Sequence, residues 1–205
     1  MNKTREGALE TRNRILFTAM NMIRAKGYEA TRVDDICAAA GVTKGAFFHH
    51  FKSKEELATK AADFFSEFAD NLFSNAPFQS IEDPLERFFG YLDLREGILQ
   101  GEVASYTCLL GTMVQEAYNS HPAIREACRE HIFGHAETLV PILEEAIKSR
   151  RIEGIDARDL AYFTQTVLQG SFVLCKAEGG NEPALASIRH LRRYCEYIFN
   201  INQAA

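Results

Sequence analysis

Apolar residues recur along most of the chain at intervals of three and four, the spacing of one face of a helix. Ile15, Ala19, Met22 and Ile23 stand at i, i+4, i+7 and i+8 and predict a first helix over about residues 8–26, stopped at Gly27. Val33, Ile36 and Ala40 predict a short second helix. It ends at Gly41, a residue suited to a left-handed C-terminal cap. Thr31 with Asp34 three positions on has the pattern of a capping box at its start. Thr43 can cap a third short helix over about residues 44–50. Ser53 with Glu56 makes a second capping box, opening a long helix with Leu57, Ala61, Phe64, Phe65, Phe68 and Leu72 on one side.

Residues 75–84 are polar, contain prolines and break the pattern. Asp83-Pro84 restarts a helix carrying Leu85, Phe88, Phe89 and Leu92, and Gly97 and Gly101 mark a loop. Further helices are predicted over about 106–118, 122–149, 157–177 and 183–201, with Pro84 and Pro122 at first helical positions. No segment alternates with a period of two between hairpin turns. The expected fold is all-α, with about nine helices and no internal repeat.

Composition narrows the class. Of the 205 residues 46% are hydrophobic and 25% charged, the proportions of an ordinary globular chain with a real core. No run of apolar residues is long enough for a membrane span. The polar, mixed-charge start lacks the apolar centre of a secretory signal. Five scattered cysteines, Cys37, Cys108, Cys128, Cys175 and Cys195, argue for a reducing compartment rather than a disulfide framework. A cytoplasmic location is therefore expected. The net charge of −5 hides an asymmetry: residues 1–60 hold 11 Lys/Arg against 7 Asp/Glu, whereas 61–205 hold 12 against 21. A basic head on an acidic body suits a polyanionic partner at one end. A phosphate loop, a nucleophile elbow and a clustered carboxylate pair are all absent from the sequence, so no enzymatic activity is expected.

The informative stretch is TRVDDICAAAGVTKGAFFHHFKSK, residues 31–54. Two short helices joined by a Gly-containing turn make a helix-turn-helix. The second helix starts with small and polar residues that allow close approach to base edges and phosphates. The stretch resembles the TetR family of bacterial repressors. The residues that carry the resemblance are Gly27-Tyr28, Thr31, Ala40-Gly41-Val42, Thr43-Lys44-Gly45, Phe47-Phe48, His49-His50-Phe51 and Ser53-Lys54-Glu55. It implies a DNA-binding domain over residues 1–54 and an effector-binding and dimerisation domain over 55–205. It also implies a homodimer on double-stranded, palindromic operator DNA, repressing transcription and released by a small-molecule effector. A ligand-independent regulator or an activator of the same fold is the alternative.

Carried over by this resemblance, the DNA contacts fall on Thr43, Lys44, Gly45, Phe48, His49 and His50, with Thr31 and Arg32 before them and Lys54 after. A solvated helix face is the other reading of Lys44, His49 and His50, and a plain first-turn surface position that of Lys54. The family has Tyr where Phe48 stands, so one phosphate hydrogen bond, about 1 kcal/mol, is forgone. Phe47 and Phe51 are expected in the core.

Candidate ligand-contacting residues are Phe64, Phe68, Phe88, Cys108, Thr112, Met113, Glu116, His131, His135, Phe163 and Gln165, since a cavity between helices is where a bundle holds a ligand. Cys128, His131 and His135 have a spacing that can hold a metal. Their stripe, with Ile124, Leu139, Ile142 and Ala146, points inward, so pocket-lining or core hydrogen bonding is the expectation and no metal or cofactor is. Helices 157–177 and 183–201 are apolar over too wide a face for simple packing. Packing on the chain's own body is one reading; a dimer interface of two helices from each subunit, which the resemblance also implies, is the expected one, with Leu168, Phe172, Leu191, Tyr194, Cys195 and Ile198 as candidate contacts.

Overall fold

The computed structural model describes residues 2–201, with side chains from residue 7. Among the described residues the regular structure is helical throughout: α1 Asn2–Lys26, α2 Val33–Ala40, α3 Lys44–His50, α4 Lys54–Ser74, a 3₁₀ turn Pro77–Ser80, α5 Pro84–Gly97, α6 Val103–Tyr106, α7 Leu109–Ala117, α8 Pro122–Glu137, α9 Val140–Arg150, α10 Ala157–Glu178 and α11 Glu182–Ile198. The all-α expectation holds. The helix count is higher than nine for two local reasons. The helix expected over 122–149 is two, because Pro141 stands in the first turn of α9. Its ring would clash with the carbonyl of Glu137, and it has no N–H to give it, so α8 stops there. The helix expected from residue 106 starts at Leu109, behind the single turn α6, where Cys108 Sγ accepts the Gly111 N–H.

Most predicted caps form. Gly41 adopts φ +63° and closes α2, with the Val42 N–H reaching Cys37 O at 3.0 Å. Thr43 Oγ1 accepts the Ala46 N–H and starts α3. Ser53 Oγ accepts from Glu56 N–H, while the Glu56 carboxylate reaches back to the N–H of Lys52. The capping box expected at Thr31 and Asp34 does not form. The N-cap of α2 is Arg32, without a side-chain bond, and the Thr31 hydroxyl donates instead to Gly27 O at 2.6 Å.

Two compact units result. The first joins residues 1–68 with 108–131, and the second joins 69–107 with 132–205. In the first, Ile15, Ala19 and Ile23 of α1, Ile36 of α2, Phe47 of α3, Phe51, Leu57 of α4 and Met113 of α7 are buried. In the second, Leu85, Phe88 and Leu92 of α5, Leu143 of α9, Leu168 of α10 and Ile188 and Leu191 of α11 are buried. Each of these side chains larger than alanine stabilises its unit by about 1.5–3 kcal/mol of transfer free energy.

Candidate nucleic-acid interface

Phe47 and Phe51 are fully buried and pin one side of α3 to the first unit. A seven-residue helix held by that side must turn the other outward. Thr43, Lys44, Gly45, Phe48 and His49 are accordingly exposed, and His50 is half-buried. Phe48 is 53% exposed, a large aromatic left in solvent beside the buried ring of Phe47. A Cβ placed on Gly45 would meet only Thr43 Oγ1, at 3.8 Å, so the start of α3 is open to a close approach. Lys44 Nζ pairs with Asp34 Oδ1 at 2.7 Å, both side chains 63% exposed. The hydrogen bond that Lys44 donates to Asp34, followed by the charge of Asp34, raises the Lys44 pKa. Burial, then the neighbouring His49 and Arg12 charges, lowers that of His50. Arg32 is exposed on the same helix-turn-helix.

Two expected DNA contacts are placed elsewhere. Thr31 is 1% exposed, with its hydroxyl committed to Gly27 O, so it holds the turn rather than a phosphate. Lys54 Nζ donates to Tyr28 O at 2.8 Å and lies 4.1 Å from the Tyr28 ring centroid. Its position at the first turn of α4 puts it under the α1–α2 turn.

That turn is clamped from a second side. Gly27 has φ +87°, and a Cβ there would overlap the Glu116 carboxylate. Glu116, on α7, accepts the Glu29 N–H at 2.9 Å. Tyr28 is buried, its ring edge-on to His121 at 5.1 Å. Burial, then Glu29 and Glu55, pushes the Tyr28 pKa up to about 12. Glu116, expected among the ligand contacts, is thus an exposed residue that grips the base of the helix-turn-helix. Only folding brings α7 to residues 27–29, and nothing in the local sequence signals it.

Residues 15–61 match the model of the bacterial regulatory proteins of the tetR family. Residues 84–191 match that of the tetracyclin repressor-like C-terminal domain. The chain belongs to the TetR family. It is a DNA-binding transcriptional regulator, a class without enzymatic activity. It is similar to the transcriptional repressor DhaR of a Mycobacterium species, 29% identical over 77% of this chain and 78% of that one. It is also similar to the regulator AcrR of Shigella flexneri, 44% identical over 27% of this chain and 26% of that one. For an uncharacterised regulator of Bacillus subtilis, YerO, the identity is 36% over 32% of this chain and 23% of that protein. The matched segments thus span only about a quarter of these last two relatives. Two solved structures of TetR-family regulators share the fold. One is from Agrobacterium tumefaciens, with a TM-score of 0.81, 22% identity and 91% and 98% of the two chains covered. The other is from Chloroflexus aurantiacus, with 0.80, 26%, 92% and 96%.

In this TetR-family regulator the other expected ligand contacts divide between the units. In the first, Met113 is buried, Phe64 is half-buried and Phe68 is exposed. Thr112 donates to the carbonyl of Cys108, itself half-buried, and His131 pairs with Asp63 at 3.0 Å. In the second, Phe88 is buried, His135 meets Tyr91 and Arg95, and Gln165 Oε1 is buried without a hydrogen-bond partner. Phe163 is not inward-facing: it is exposed and lies edge-on to Tyr194. His131 and His135, one turn apart on α8, therefore serve different networks.

The expected dimer contacts divide by register. Leu168, Phe172, Leu191 and Cys195 are buried within the subunit and have almost no surface to offer a second copy. Tyr194 is exposed and Ile198 half-exposed. The outward apolar face of α10 and α11 consists instead of Phe163, Val173, Leu174, Tyr194 and Tyr197. No helix among the described residues is long and apolar enough to cross a membrane.

Proposed function

We propose that this regulator is a repressor that binds a palindromic operator as a homodimer and leaves it when a small-molecule effector binds its C-terminal domain. The observation that carries the reading is the open end of α3, where Thr43, Lys44, Gly45, Phe48 and His49 stand exposed on a helix anchored by Phe47. A helix presented this way fits the major groove, and a two-fold dimer reads two half-sites about one helical turn or a multiple apart. Arg32 and His50 complete the contact set. Likeness to a named repressor over most of both chains supports the sign of regulation. The exposed apolar face of α10 and α11 supports the dimer, since a patch of that kind marks an interface. A division near residue 54 separates DNA reading from effector response, and the protein works in the cytoplasm.

The route from effector to DNA runs through α7. That helix and the helix-turn-helix belong to one packed unit, and Glu116 joins them at Glu29. An effector that favours a conformer with α7 displaced would move the head and lower operator affinity, by about 1–3 kcal/mol of coupling.

The test is binding to the inverted repeat nearest the regulator's own gene, followed by fluorescence anisotropy at rising salt and with candidate metabolites. Steep loss of affinity with salt is expected from phosphate contacts. A flat response would overturn the DNA reading. Tight binding that no compound relieves would favour a ligand-independent regulator.

A further inference from the structure

Arg95 of α5 carries a positive charge into aromatic surroundings of the second unit. Its guanidinium carbon lies 4.3 Å from the Phe73 ring centroid and 5.2 Å from that of Tyr91. Its Nε–H donates to the Tyr91 hydroxyl at 2.8 Å, and Nη2 lies 2.6 Å from His135 Nε2. Arginine has only donors, so His135 Nε2 accepts and the imidazole is neutral. Burial, then the Arg95 charge, holds its pKa down near 3. Both hydrogen-bond partners of the guanidinium are therefore uncharged. Several arginines of this unit have carboxylates, as Arg87 has Glu145 and Arg192 has Asp93, whereas the exposed Arg151 and Arg193 have water. Among the described residues no carboxylate lies within ion-pair distance of Arg95.

An arginine cannot shed its proton, and this one, half-buried beside aromatic rings, has no counter-charge of its own. The geometry of the donors says what would satisfy it. Tyr91 and His135 occupy the edge made by Nε and Nη2. The other edge, between Nη1 and Nη2, keeps two parallel N–H groups, the fork that matches a carboxylate.

We propose that Arg95, held by Tyr91, His135 and Phe73, is the anion-recognising end of the effector site, and that the effector is a small organic acid presenting its carboxylate to the free edge of the guanidinium. This rests on the reading of the C-terminal domain as effector-binding and adds the ligand's chemical class. His135 and Tyr91 are positioning residues: they fix the plane of the guanidinium, and the neutral imidazole leaves its charge for the ligand.

The experiment titrates the full-length regulator with acetate, octanoate, benzoate and phenylacetate, each beside its amide, by calorimetry and thermal-denaturation midpoint. Operator release is followed in parallel with a library of anionic, neutral and cationic compounds. At least one acid is expected to bind about tenfold or more tightly than its amide. Arg95→Gln is expected to erase that preference, and Arg95→Lys to keep part of it. If Arg95→Gln fails to fold, judged by its helical circular dichroism, the acid-to-amide ratio in the wild type and Arg95→Lys decides. Binding of no acid, equal binding of acid and amide, or an undiminished preference in Arg95→Gln overturns the proposal. A neutral or cationic compound that releases the operator from wild type and Arg95→Gln alike also overturns it, while keeping the effector reading. An acid that binds through Arg95 without releasing the operator upholds the anion site and sinks the effector reading instead.

Discussion

Glu116 Oε2 accepts the backbone N–H of Glu29 at 2.9 Å, across 87 positions of sequence. The bond ties the end of α7 to the turn from which the helix-turn-helix departs. Its neighbour Gly27 is fitted to the same carboxylate, since the positive φ and the close approach both exclude a side chain.

Gly27→Ala should therefore destabilise the regulator by about 1–3 kcal/mol, from the strained φ and the displaced Glu116 carboxylate together. In a Glu116→Ala background only the backbone component remains, so the second cost should be smaller. Urea unfolding of the four proteins measures the coupling. Equal costs in the two backgrounds would mean the carboxylate and the turn are independent.

Lys44 shares its charge with Asp34 at the outer end of α3. A carboxylate there competes with phosphate for the ammonium group. Lys44→Ala should weaken operator binding roughly tenfold and reduce the slope of log K against log salt by about one. Asp34→Asn should shift affinity the other way, with Lys44 released and a repulsive charge removed. A tightening seen equally in Asp34→Asn and in Asp34→Asn/Lys44→Ala would trace the effect to repulsion alone.

His135 sets a pH dependence whose sign follows from its partner. The folded protein takes up this proton only near pH 3, whereas the unfolded chain takes it up below about 6.5. Stability contributed by the neutral ring is complete above about pH 6.5 and is lost as pH falls toward 3, by up to about 1.4 kcal/mol per unit. His135→Gln should flatten the stability profile between pH 7.5 and 5, with a difference of about 2 kcal/mol in the change across that range. Parallel profiles would show that the ring titrates in the folded protein as it does in the unfolded chain, so that Arg95 and burial do not hold it neutral.

On α10 and α11, inward and outward residues should separate two kinds of failure. Leu174, 56% exposed, belongs to the proposed interface, while Leu168 is 1% exposed inside the subunit. Leu174→Glu should raise the dimer dissociation constant about thirtyfold or more with folding retained. Leu168→Ala should cost about 2–5 kcal/mol of subunit stability. Sedimentation and thermal unfolding separate the two; a Leu174→Glu protein that stays dimeric removes this face from the interface.

The helix-turn-helix was legible because its determinants are local. Gly41 must supply a left-handed residue, Thr43 must cap, and Phe47 and Phe51 fall on one side of α3 because they are four residues apart. The α8–α9 break has an equally local cause in Pro141, but the apolar spacing continues across it and predicted a single helix. The apolar width of α10 and α11 pointed to a partner, but not to which residues would meet it. Leu168 and Leu174 are chemically alike, and only burial within the packed fold distinguishes them.

Sequence by itself determined most of the helices, the caps at Gly41, Thr43 and Ser53, and the helix-turn-helix, since backbone propensity and i, i+4 spacing act within a few residues. Tertiary structure alone decided that Glu116 grips the Gly27 turn, that Lys54 lies under Tyr28 and that Arg95 lacks a carboxylate. Each of these depends on side chains brought together from distant segments or from neighbouring helices, and the distances that decide hydrogen bonds and charge pairing exist only once the chain has packed.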